Sequence, residues 1–214
     1  MTEETPTRYR IHFHKSAHLR FIGHLDLHRA MERSLRRANL PLDYSKGFNP
    51  RVKLNLSSAL PLGCTSSAEL ADIWLLSNLD VSDVLQALSS AAPPGLSFIS
   101  VETIELKTPS LQSQINAVEY RVEIEKMEAE PPLSETVANL LNADELPRVR
   151  RGKHYDLRPL IHDLEISQDL QEQCSLRMVL NVGEGSTGRP EEVLLSLGLD
   201  PANTLIQRTQ LTLA

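Results

Sequence analysis

Four arginines, Arg29, Arg33, Arg36 and Arg37, sit in the stretch His24–Ala38 at a spacing that gathers them within about one quadrant of a helix turning 100° per residue. A guanidinium is a planar fork of donors matched to phosphate oxygens, so such a stripe suits a polyanion. Lys46, Arg51 and Lys53 follow shortly after it. Upstream, the run Arg8 to His14 alternates with period two, and Arg8, Arg10, His12 and His14 share the face opposite Tyr9, Ile11 and Phe13. An open basic sheet face of that kind is where bases can lie, with Tyr44, Phe48 and Trp74 as stacking rings. The plainer alternatives are a solvated helix face laced by Glu32 and a shaped turn in which Phe48 plugs the core.

Histidines form the second cluster: five of the seven lie between His12 and His28. His24 and His28, four apart, have a spacing that can present two ligands to zinc, but no firm carboxylate or thiolate completes a set. Cys64 and Cys174 are far apart, without a Cys-x-x-Cys pair, so neither a disulfide framework nor an iron–sulfur cluster is supported. No metal or other cofactor is implied. His24 with Asp26, or His12 and His14, could move protons beside an arginine-held phosphate, which is what metal-independent RNA cleavage requires. His24 and Asp26 are the catalytic candidates, although no spacing specifies the reaction, and binding is the better supported reading.

Two further segments invite the same question. Gly47-Phe48-Asn49-Pro50-Arg51 lacks the Gly-Lys-Ser/Thr ending of a phosphate-cradling loop and reads as a turn. Arg148, Arg150, Arg151 and Lys153 surround Gly152 as a basic hairpin, either a second phosphate contact or an exposed loop.

These residues must be held by ordered elements, and the hydropathy pattern supplies them. A strand over Arg8–His14 precedes a helix over His24–Ala38, whose apolar side is Leu27, Ala30, Met31, Leu35 and Ala38, and which Asn39 and Pro41 end. Lys53 to Leu60 alternates with Leu54 and Leu56 inward and Lys53, Asn55 and Ser57 outward. Glu69–Leu76 is apolar on both faces and therefore central. A helix over Val81–Ala91, a break at Pro93-Pro94-Gly95 and a strand over Leu96–Leu106 complete a βαββαβ order. A polar linker, Lys107–Asn116, leads to a second pass of the same order: strand Ala117–Lys126, helix Leu133–Leu141, strand material from Arg148 to Ser167, strand Ser175–Val182, a turn over Glu184–Gly188, helix Pro190–Leu197 and strand Thr204–Leu211. The expected class is α+β, as tandem ferredoxin-like (βαββαβ) lobes at 8–107 and 116–213.

Charge is distributed unevenly over these lobes. The net charge is −6, yet Arg8 to Lys53 holds eleven Lys/Arg against three acids, and Arg148 to Arg158 holds five against one. Clustering outweighs the total when a surface meets a polyanion, so an anionic partner, RNA, is expected. No apolar run approaches the roughly 20 residues of a membrane helix, and the first ten residues contain no apolar signal core, so a cytoplasmic location away from membranes is expected.

Phe21-Ile22-Gly23-His24-Leu25-Asp26-Leu27, Glu32-Arg33, Arg36-Arg37-Ala38, Leu40-Pro41, Tyr44-Ser45-x-Gly47-Phe48-Asn49-Pro50, Ala59-Leu60-Pro61-Leu62-Gly63 and Glu69 together resemble the radical-SAM-linked domain. This is a bacterial family of unknown function, fused to or encoded beside a radical-SAM protein. Gly23 departs from the Ser expected there in many members. The resemblance implies a radical-SAM partner and, from genes near those for ribonucleases and ribosomal proteins, RNA modification or maturation. The chain lacks the Cys-x-x-x-Cys-x-x-Cys run of a radical-SAM enzyme, so it would be that enzyme's companion. Three roles follow as expectations: an RNA-binding accessory module, a protein–protein adaptor docking the radical-SAM enzyme, or a metal-independent ribonuclease.

Overall fold

A computed structural model describes residues 5–124, 131–168, 174–183 and 186–214. The chain is an α+β protein that divides into two compact units, Met1–Gln114 and Ile115–Ala214.

In the first unit, β1 (Thr7–Lys15) leads into α1 (His24–Arg37), β2 (Leu54–Leu56), β3 (Thr65–Leu75), α2 (Val81–Ser90) and β4 (Leu96–Ile104). β1 pairs antiparallel with both β3 and β4, and β2 pairs antiparallel with β3, giving the order β2-β3-β1-β4. The alternation of β1 does what its period requires: Tyr9, Ile11 and Phe13 are fully buried and meet Leu27, Met31 and Leu35 of α1 and Val84 and Leu88 of α2 in one core. Each such large apolar side chain removed from water contributes about 1.5–3 kcal/mol. α1 ends at Ala38, and Asn39 takes a left-handed conformation (φ 52°) that stops the helix. Gly95, at φ 94° after Pro93-Pro94, is a position only glycine fills, because a Cβ there would lie 2.5 Å from Leu19.

Two expectations change in this unit. Ser57 does not face outward; β2 stops at Leu56, and Ser57 is buried. The segment from Lys107 is no free linker. It folds into the short helix α3 (Leu111–Gln114), Leu111 is fully buried, Gln112 donates to the Leu56 carbonyl, and Arg8 donates to the carbonyls of Thr108 and Pro109.

The second unit runs β5 (Ile115–Ile124), α4 (Leu133–Asn142), β6 (Pro147–Arg150), β7 (Lys153–Asp156), β8 (Ile161–Gln168), β9 (Cys174–Gly183), β10 (Ser186–Thr187), α5 (Pro190–Ser196) and β11 (Leu205–Leu213). Its long strands pair antiparallel in the order β8-β9-β5-β11. Leu176, Met178 and Leu180 of β9 and Val118, Tyr120 and Val122 of β5 are buried, as are Val137 and Leu140 of α4 and Val193 and Leu194 of α5. β6 and β7 form a separate hairpin. Its two-residue turn, Arg151 (φ 48°) and Gly152 (φ 76°), has the positive φ values that match the twist of paired strands. The expected strand end at 125–126 and turn residues 184–185 lie outside the described residues.

Candidate nucleic-acid interface

α1 is oriented by its apolar stripe. With Leu27, Met31 and Leu35 buried, Arg29, Arg33, Arg36 and Arg37 are all exposed. Their surroundings differ. Arg29 donates to Asp26 at 3.0 Å, and Arg37 to the Ala91 carbonyl at 2.7 Å. Arg36 donates to Glu32 at 2.8 Å and to the Tyr44 hydroxyl at 3.0 Å, with its guanidinium 5.4 Å from the centre of that ring. The Glu32 hydrogen bond raises the Arg36 pKa further, which leaves it charged at any working pH. The Arg33 guanidinium has no hydrogen bond or ion pair among the described residues.

The loop after α1 adds to this surface. Tyr44 and Val52 bridge its base, and Ser45 and Arg51 close it, through Ser45 N–H to Arg51 O at 2.8 Å and Arg51 N–H to the Ser45 hydroxyl at 3.0 Å. Everything between is exposed, including Lys46 and Arg51. Phe48 does not plug the core; at 103% exposure it is entirely in solvent. Lys53, by contrast, is held by Asp43 at 2.6 Å.

The sheet side departs most from expectation. Arg8 and Arg10 are buried, and both reach the buried carboxylate of Asp72, at 2.6 and 2.9 Å. The basic face expected to be open on β1 is therefore closed at these two positions, with one carboxylate shared by two guanidiniums. The physical reason is the register: Arg10 lies directly across from Asp72 and Arg8 from Trp74. Arg8 also stacks 5.0 Å from the centre of the Trp74 ring, occupying one face of it. Lys15 is buried and donates to the Cys64 carbonyl at 2.9 Å. His12 faces Glu102 at 3.4 Å on the more exposed part of the strand, and His14 is half-buried.

His24 is half-buried at the first position of α1, and His28 one turn on is also half-buried. The Asp26 carboxylate is engaged by Arg29 through one oxygen, at 3.0 Å. No three of His, Cys, Asp and Glu among the described residues come together as a metal would require. The geometry assembles a cationic and aromatic surface on α1 and the loop that follows it. Sequence reasoning missed part of that surface: Phe21 and Leu25 are 67% and 72% exposed, and Arg20 stacks 4.5 Å from the Phe21 ring centre. Apolar residues beside a helix start read as core; only the packing shows that they lie outside it.

Fold and surface together define an α+β protein whose first unit presents an exposed arginine helix and a basic, aromatic-tipped loop. The chain belongs to a bacterial family described as uncharacterized protein conserved in bacteria (DUF2344), whose model matches residues 8–190. The match spans β1, the arginine helix, the loop and the β6–β7 hairpin. No curated protein matches the chain. No helix among the described residues is long and apolar enough to cross a membrane.

Proposed function

We propose that the protein is an RNA-binding accessory module acting with a radical-SAM partner in RNA modification or maturation. The observation that carries this reading is the exposed α1 face of Arg29, Arg33, Arg36 and Arg37 beside a loop bearing Arg51 and the fully solvated Phe48. Guanidiniums take phosphates while a solvated ring takes a base, which is the division of labour of single-strand binders. Strand order and antiparallel pairing in each unit support the tandem ferredoxin-like description, a scaffold widely used for RNA.

The test is crosslinking of the tagged protein to RNA in cell extract, followed by sequencing, with Arg33→Glu plus Arg51→Glu as the comparator. These two cations have no acidic partner among the described residues, so their reversal removes binding charge without stranding an acid. Enrichment of one RNA class that the variant loses supports the reading; equal recovery by both proteins refutes it.

A second reading, docking to the radical-SAM protein, draws on the exposed Phe21, Leu25 and Leu62. The Gly63 N–H bonds the Arg20 carbonyl at 2.8 Å and so fixes the Leu62 turn beside Phe21. Exposed apolar groups held together in this way mark protein contacts. Here the expected result is nuclease-resistant co-purification with the radical-SAM protein, lost in Phe21→Ser plus Leu25→Ser.

A further inference from the structure

The second unit contains a cavity of about 940 Å³ walled by the β6–β7 hairpin, the segment Pro159–Leu160, Asn181 of β9, Thr187 of β10 and Arg189. Its volume falls in the roughly 300–1,000 Å³ range of sites that enclose small ligands. Four cations line it: Arg150, Arg151 and Lys153 from the hairpin, and Arg189. The side chains of the first three have no hydrogen bond or ion pair among the described residues, and that of Arg189 has only Glu191, at 3.6 Å. The one carboxylate in the lining, Asp156, accepts the backbone N–H groups of Leu146 and Arg158 at 2.7 and 3.0 Å and so holds the base of the hairpin. Like charges crowded around one concavity repel one another, and an anion relieves that repulsion.

Two more features narrow the class of anion. Hairpin register puts Arg150, Lys153 and Tyr155 on one face, where Arg148 ties the strand to α5 by donating to the Ser196 hydroxyl. The Tyr155 hydroxyl is buried without a hydrogen-bond partner among the described residues, an unmet donor beside the cationic wall. The remaining lining combines the polar Asn181 and Thr187 with His154, Tyr155, Pro159 and Leu160. A bare inorganic anion would leave that part of the cavity unfilled, whereas a nucleobase would cover it.

We propose that this cavity binds a nucleoside phosphate, as a free nucleotide or as the 5′-phosphorylated end of an RNA strand. The phosphate lies among Arg150, Arg151, Lys153 and Arg189, and the base lies against Tyr155 and Leu160. The site shares no residue with the α1 surface. Its free-nucleotide form is independent of the RNA reading above; its strand-end form rests on that reading and deepens it.

The test uses the full chain and ADP tagged on the ribose with a methylanthraniloyl fluorophore, titrated at about 0.15 M salt. The expected result is saturable binding that weakens on the order of ten-fold or more in Arg150→Glu plus Lys153→Glu, because charge-assisted bonds to phosphate are lost. Binding is expected to be unchanged in Arg33→Glu plus Arg51→Glu, which separates failure here from failure of the α1 surface. Displacement by a 5′-phosphorylated RNA decamer, but not by its 5′-hydroxyl form, assigns the site to strand ends. Displacement by ADP alone assigns it to free nucleotide. Should the double reversal lower the thermal midpoint, Arg151→Gln at the exposed turn repeats the comparison. Absence of saturable binding by tagged ADP and by the 5′-phosphorylated decamer labelled at its 3′ end overturns the proposal. So does binding that all hairpin variants retain in full.

Discussion

The two units share an order of strands and invert the balance of charge placed on them. In the first, two arginines, Arg8 and Arg10, converge on the single buried carboxylate of Asp72. In the second, one arginine, Arg177, is held by three carboxylates on a more exposed sheet face: Glu119 at 2.8 Å, Asp163 at 2.5 Å and Glu165 at 3.6 Å. The Asp163 and Glu119 hydrogen bonds hold the Arg177 pKa above its ordinary value. Exposed cations lie elsewhere in both units, on α1 and its loop in one and on the inserted β6–β7 hairpin in the other. One pairing scheme thus supports opposite charge ratios, and the surfaces open to a partner belong to the helix and connections more than to the strands.

The largest expected effect tests the buried end of that contrast. Asp72→Ala leaves two guanidiniums buried without their carboxylate, and such a broken buried pair costs about 3–5 kcal/mol. Arg177→Ala breaks contacts of a partly exposed network and is expected to cost no more than about 1 kcal/mol. Urea denaturation of both variants decides the point, and equal losses would erase the contrast. A smaller effect concerns packing. A Cβ at Gly188 would lie 2.8 Å from the Leu160 carbonyl oxygen and 2.9 Å from the Leu180 Cβ, whereas one at Gly47 would meet nothing within 4 Å. Gly188→Ala is expected to cost about 1–3 kcal/mol as overpacking, with Gly47→Ala near neutral in the same assay.

The smallest effect is confined to acid. Asp80 caps α2, accepting from the Ser82 hydroxyl at 2.6 Å and the Ser82 N–H at 2.8 Å, and these bonds hold its carboxyl below the ordinary value. A carboxyl depressed in the folded state stabilises it fully above the unfolded-state value and ceases to do so as pH falls through the folded-state one. Asp80→Ala should therefore lower the thermal midpoint at neutral pH, by a margin that narrows in strong acid. A margin independent of pH would show that the cap acts through something other than its charge.

Periodicity made much of the scaffold legible. The Tyr9-Ile11-Phe13 alternation and the Leu27-Met31-Leu35 stripe describe how a strand and a helix bury one side, which is a local property. What lies opposite is not local. Nothing near Arg10 announces Asp72, sixty-two residues later, so a closed ion-pair site read as an open basic face. Phe48 had two readings, a stacking ring and a core plug, and the Ser45–Arg51 closure, which leaves the loop tip in solvent, removes the second. The polar stretch after Lys107 resembled a linker because one leucine, Leu111, anchors it. The hairpin cations were visible as charge, but the cavity they line is completed by Arg189 and by Leu160, which only packing brings to them.

The most direct measurement of the central claim is the affinity of the full chain for a labelled single-stranded RNA across a range of salt, for the wild type and Arg33→Glu plus Arg51→Glu. The expected result is a linear fall of log affinity with log salt, and in the variant both a weaker affinity and a slope shallower by about 0.7 for each phosphate contact removed. An affinity indifferent to salt, or a variant whose line lies on that of the wild type, would contradict RNA recognition by the α1 surface and transfer that surface to a protein partner.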